Sequence, residues 1–227
     1  MGSGHAVIAT SYADGQTVIE LQRSVKANEV LKSVDRSPNG SLIAATGDVA
    51  HVRIWKANNL SEVPGFSEVQ QGAAGLAQHS VAFSADGHLL AAGNLVAQVW
   101  DMATQQLARN FVAPFVNMRG PQPIDIVSVA FSPDQNLLLV AYHTPPRPPL
   151  GNPVIAYRLS DGAIAWKYEQ QPTLGQPLIR TPLVTIKSRN EIAFGTRESN
   201  NDSERFATAT NTGDVQQSLN MKDNHAR

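Results

Sequence analysis

A short phrase occurs three times at near-constant spacing, and it constrains the fold more than any other feature of this chain. It reads Ser33-Val34-Asp35-Arg36-Ser37-Pro38-Asn39-Gly40, then Ser80-Val81-Ala82-Phe83-Ser84-Ala85-Asp86-Gly87, then Ser128-Val129-Ala130-Phe131-Ser132-Pro133-Asp134-Gln135. The first serines of the three copies are 47 and 48 residues apart. A period of roughly 40 to 50 residues marks one supersecondary unit stacked repeatedly. The second half of the phrase is a turn, since Pro presets its own φ and Asn or Asp bonds the local backbone.

The clearest unit spans residues 126–169. Ile126 to Phe131 is a first strand, and Leu137 to Tyr142 is a continuous apolar run, as expected of a strand buried on both faces. Val154 to Leu159 is a third strand. Asp161-Gly162 makes a hairpin into a fourth, Ala163 to Tyr168. Four antiparallel strands per unit predict an all-β chain of propeller blades. The predicted blades cover about 31–70, 79–112, 126–169 and 182–219, with a polar tail at 220–227. The outer strand of the first, Glu62 to Val69, is weak. Val7-Ile8-Ala9 and Asp14-Gly15 align with Val154-Ile155-Ala156 and Asp161-Gly162, so 5–30 reads as the third and fourth strands of a further blade. Four and a half blades close a ring awkwardly, because open edges invite pairing. The expectation is an incompletely closed or larger propeller, with self-association through open edges as a corollary.

Composition narrows the function classes. A formal net charge of −1 builds no field for nucleic acid or anionic membranes. With no cysteine, thiolate metal sites and cysteine nucleophiles are excluded. The N-terminus lacks the pattern of a signal peptide, and no apolar stretch is long enough to span a membrane. Cytoplasm is the default expectation, and periplasm the alternative if an export segment precedes Met1.

Two resemblances rest on specific residues. Trp100-Asp101, preceded by Val99, resembles the namesake pair of the WD40 repeat family. Ile54-Trp55-Lys56 is similar without the Asp. Asp48, seven residues before Trp55, resembles the family's turn aspartate; Asn94 holds that place in the next unit, and Tyr157 replaces Trp in the one after. The Gly-His pair of the family is missing, so its buried Ser-His-Asp-Trp network is mostly unavailable. The resemblance implies a protein-binding propeller. Separately, Tyr157 to Trp166, with Asp161 and Gly162 at its centre, resembles the tryptophan-docking repeat of quinoprotein-like propellers. That likeness implies the alternative, a cofactor-binding or catalytic array.

Alternation of strand direction puts the tight turns on one end of the blades and the long connections on the other. Four long connections carry one arginine each: Arg119, Arg147, Arg180 and Arg197. Phe115 and Met118 add apolar area. Arginine with aromatic or Met side chains is the composition enriched at protein interfaces. The same residues would also serve as solvated loop arginines and locally packed apolar groups. Thr144 to Pro149 contains Pro-x-x-Pro, which suits either a docking segment or a stiffened loop. Enzyme signatures are missing: none of the six histidines is at metal-ligand spacing, and there is no phosphate loop or nucleophile elbow. The expected role is a scaffold for proteins or peptides, without cofactor, metal or catalytic residues.

Overall fold

The structure, a computed structural model, describes residues 8–10, 17–20, 31–47, 52–64, 80–93, 96–114, 125–143, 153–169, 183–186, 191–197, 204–210 and 212–220. All regular structure among them is β. Strands β1 (Ile8–Thr10) and β2 (Thr17–Glu20) form a two-stranded sheet. β3 (Leu31–Arg36), β4 (Leu42–Gly47) and β5 (Arg53–Lys56) form a three-stranded sheet. Three four-stranded sheets follow. The first holds β6 (Ser80–Phe83), β7 (Leu89–Gly93), β8 (Val96–Asp101) and β9 (Gln106–Val112). The second holds β10 (Asp125–Phe131), β11 (Leu137–His143), β12 (Pro153–Arg158) and β13 (Ile164–Glu169). The third holds β14 (Leu183–Ile186), β15 (Glu191–Arg197), β16 (Glu204–Ala209) and β17 (Val215–Asn220). Each is an antiparallel meander in chain order.

The sheets pack face to face in sequence order. Ala44 and Ile54 meet Val81, Leu90 and Trp100 of the next sheet. Ala91, Val99 and Phe111 meet Val129, Val140 and Tyr157 of the one after. Leu139, Ala141 and Ala156 meet Ile192 and Phe194 of the last. A middle sheet therefore buries both faces, which is why β11 is apolar without interruption. Gly93 sits at a close approach, for a Cβ there would lie 2.6 Å from Ile126 Cγ2.

The outer strand predicted over Glu62 to Val69 is only partly observed. Trp55 and Glu62 form an isolated bridge, and Val63 N–H donates to Ile54 O at 2.8 Å. Residues 65–69 lie outside the described residues. The register of β1 with β2 shifts between Ala9 and Thr10. Third-to-fourth strand pairs elsewhere shift at Val99/Trp100, Ala156/Tyr157 and Ala207/Thr208. The pair β1–β2 thus carries its bulge where the aligned pair β12–β13 does.

Candidate functional site

The repeated phrase has two separable jobs. Its second serine builds the turn. Ser37, Ser84 and Ser132 each accept a hydrogen bond at Oγ from the backbone N–H of Leu42, Leu89 and Leu137, at 2.9 Å in every case. Each donates from the same Oγ to Asn39, Asp86 or Asp134, at 2.8, 2.6 and 2.5 Å. Partial burial pushes the Asp86 carboxyl up, but the hydrogen bonds from Ser84 and His88 N–H outweigh it and hold the group below the ordinary 3.8. Asp134 behaves alike: burial opposes, while Ser132 and Asn136 prevail.

The first serine of the phrase ties sheets together. Ser33 Oγ accepts from Val81 N–H at 3.2 Å, Ser80 Oγ from Val129 N–H at 3.0 Å, and Ser128 Oγ from Leu183 N–H at 3.0 Å. These residues lie on the first strand of each sheet, where the edge facing the next sheet has no β partner. An unmet N–H there would cost about 1–3 kcal/mol if buried. In the 31–56 sheet Asp35 adds a second clasp, accepting from Phe83 N–H at 2.7 Å and from Arg36 N–H at 2.8 Å. The alignment places Ala82 and Ala130 at the position of Asp35.

These first strands bound a cavity of about 410 Å³. It runs across β3, β6 and β10 and reaches Leu183 of β14. Ser33, Asp35, Arg36, Ser80 and Ser128 are among its polar side chains, and Phe83 and Phe131 form part of its apolar wall. None of these was singled out as a site residue from sequence. The available signal was a serine recurring at a strand position that apolar residues would otherwise fill.

The residues expected to mark the repeat have structural work. Trp55 and Trp100 are fully buried. Trp55 Nε1 and Thr46 Oγ1 are buried without hydrogen-bond partners. Arg53 stacks over Trp55 at 5.1 Å and pairs through two 2.8 Å hydrogen bonds with Glu62. Asp101 caps its own turn, accepting from Thr104 N–H and Oγ1 and from Ala103 N–H, which lowers its pKa. Tyr157 hydrogen-bonds Tyr142 hydroxyl to hydroxyl at 2.9 Å, and burial raises both phenol pKa values. Asp161 binds the Arg158 side chain and Ala163 N–H; those bonds hold its carboxyl down. Gly162 has a φ of +79°. Trp166 packs half-buried against the last interface.

Of the residues expected on the long-connection end, Arg197 closes β15, opposite Glu204. Phe115, Met118, Arg119, Arg147 and Arg180 lie outside the described residues, as do Asp48 and Asn94 of the repeat. Among the described residues no group of three His, Asp or Glu side chains could hold a metal ion. Likewise, no helix there is long and apolar enough to cross a membrane.

No family model and no curated protein matches the chain. Solved structures do. The chain is similar to Kuenenia stuttgartiensis hydrazine synthase at a TM-score of 0.60 and 12% identity, over 84% of this chain and 49% of that one. The chain folds as a β-propeller. It spans about half the length of the solved chain it matches. As 1110 solved chains match, the architecture alone selects no activity.

Proposed function

We propose that this propeller is a protein-interaction scaffold, of a divergent WD40 type, that engages proteins or peptides at the end bearing its long connections. One observation carries the reading. In the chain-order antiparallel meander β4, β7, β11 and β15, and the last strand of each four-stranded sheet, all run toward one end. The turns fixed by Ser37, Ser84 and Ser132 all lie at the other. The long connections start from strand ends on the side opposite those turns, and connections on a regular scaffold are where binding residues concentrate. Arg119, Arg147 and Arg180 fall within those segments. The WD40 assignment draws on Trp55, Trp100 and Asp101; the orphaned Trp55 Nε1 fits a member that has lost the usual hydrogen-bond network around its tryptophan.

The test is pull-down from a lysate with wild type, Arg119→Glu and Arg147→Glu. Charge reversal at an interface arginine is expected to weaken capture at least tenfold while melting temperature stays at the wild-type value. Undiminished capture by both variants would remove this end as the binding face. A rise in melting temperature with a quinone cofactor, with no partner captured, would favour the quinoprotein-like alternative instead.

A further inference from the structure

The serine clasps run in one direction. Ser33, Ser80 and Ser128 each reach from the first strand of one sheet to an N–H on the first strand of the next, at Val81, Val129 and Leu183. The clasped valines are also covered by the preceding sheet: Val81 clusters with Ala44 and Ile54, and Val129 with Ala91 and Val99. The series begins on a strand that receives no clasp. Val34 pairs with Ala45 as Val81 pairs with Ala92 and Val129 with Val140. The same alternation therefore turns Val34 N–H away from β4, to the side where a preceding sheet would stand. No serine among the described residues meets it, and the Val34 side chain is 53% exposed. Arg36 N–H, two residues on, is taken by Asp35 Oδ1 at 2.8 Å, so the break in the series falls at Val34.

The last sheet is unsuited to fill that place. One residue before Val81, Val129 and Leu183 stand Ser80, Ser128 and Pro182, and Val184 aligns with Asp35. Neither Pro182 nor Val184 has a side-chain oxygen to accept an N–H. Closure by that sheet, from this chain or from a second copy, would cover Val34 without a clasp. What covers the equivalent valines states the chemistry required: a serine on one strand and a small apolar residue on the next, as Ser80 and Ala91 serve Val129. We propose that β3 binds a β-hairpin of another protein, in which a serine or threonine oxygen takes Val34 N–H and alanine-sized residues on the adjoining strand cover its side chain. The site is apart from the long-connection end and does not depend on the scaffold reading.

The probe is a synthetic peptide of residues 80–93, the β6–β7 hairpin that covers Val129. A disulfide between added terminal cysteines makes it a hairpin before binding. It is titrated into the full chain and followed by backbone amide NMR shifts and calorimetry. The expected result is a saturable shift and slowed exchange at the Val34 amide. A Ser80→Ala version of the peptide loses the clasp and is expected to bind about tenfold more weakly. Val34→Lys in the chain is expected to weaken the unaltered peptide at least tenfold, with melting temperature unchanged because the site is exposed. Should that variant prove unstable, the two peptides compared on the unaltered chain still decide. Absence of binding, equal binding of the two peptides, or shifts confined to other strands would each overturn the proposal. So would a concentration-dependent dimer that Val34→Lys converts to monomer, since a second copy would then be the occupant.

Discussion

Val34 and Val129 hold the same place in the repeated phrase, yet Val34 is 53% exposed and Val129 is 3% exposed. Both sit on the first strand of a sheet, one residue after a clasp serine. The difference lies in what stands before them. Val129 enters the face of the preceding sheet, among Ala91 and Val99. On β3 the outward positions Lys32, Val34 and Arg36 all remain exposed, alternating with half-buried Leu31, Ser33 and Asp35. Lower on the same sheet Ile43 and Trp55 are buried. The exposure is thus confined to the inner strand. A shared local sequence fixes strand and turn, whereas a neighbouring sheet decides burial.

The largest effect expected from breaking this comparison is on the valines. Val129→Ala removes two methyl groups' worth of packing at a filled interface and is expected to cost about 2 kcal/mol. Val34→Ala should change stability by no more than about 0.5 kcal/mol. Urea unfolding of both variants measures the gap, and equal losses would mean that β3 is covered in solution.

The turns offer a second comparison. Asp86 and Asp134 have depressed carboxyl pKa values, whereas the first copy carries the non-titrating Asn39. A carboxyl depressed by folding stabilises above its unfolded value, near 3.8, and that stability drains away as pH falls through the lower folded value. Amide protection at Leu89 and Leu137 should therefore fall below about pH 4 relative to Leu42, after correction for intrinsic exchange. Uniform change at all three would show that the carboxylates contribute nothing local.

The smallest expected effect is at the last residue of the phrase. Gly40 and Gly87 have φ of +72° and +76°, and Gln135 adopts +60° at the same place. A left-handed non-glycine residue is strained by about 1–3 kcal/mol. Gln135 recovers part of this through its Oε1, which accepts from Asp86 N–H at 3.2 Å. Gln135→Gly should gain about 0.5 kcal/mol net, because lost strain slightly exceeds the lost bond and the added chain entropy. A thermal melt that drops would show the bond between sheets to be the stronger term.

The sequence was most legible where causes are local. The period, the turns marked by Pro and Asn or Asp, the apolar run of β11 and the Asp161-Gly162 hairpin could all be read from it. So could the pairing of β1 with β2. The candidate site was much less so. Ser33, Ser80 and Ser128 were visible as a repeat, but their partners lie 48, 49 and 55 residues away. No spacing rule links a hydroxyl to an N–H at that distance until sheets are stacked. Asp35 stood out only as a departure from alanine. Its role required Phe83 N–H beside it.

Residue type within five or six positions determined where this chain extends and where it turns, because φ preference and short-range hydrogen bonds act over that distance. Only the stacking of sheets decided which valine is dry and which serine holds a neighbour, since each depends on groups that the backbone brings together from separate repeats.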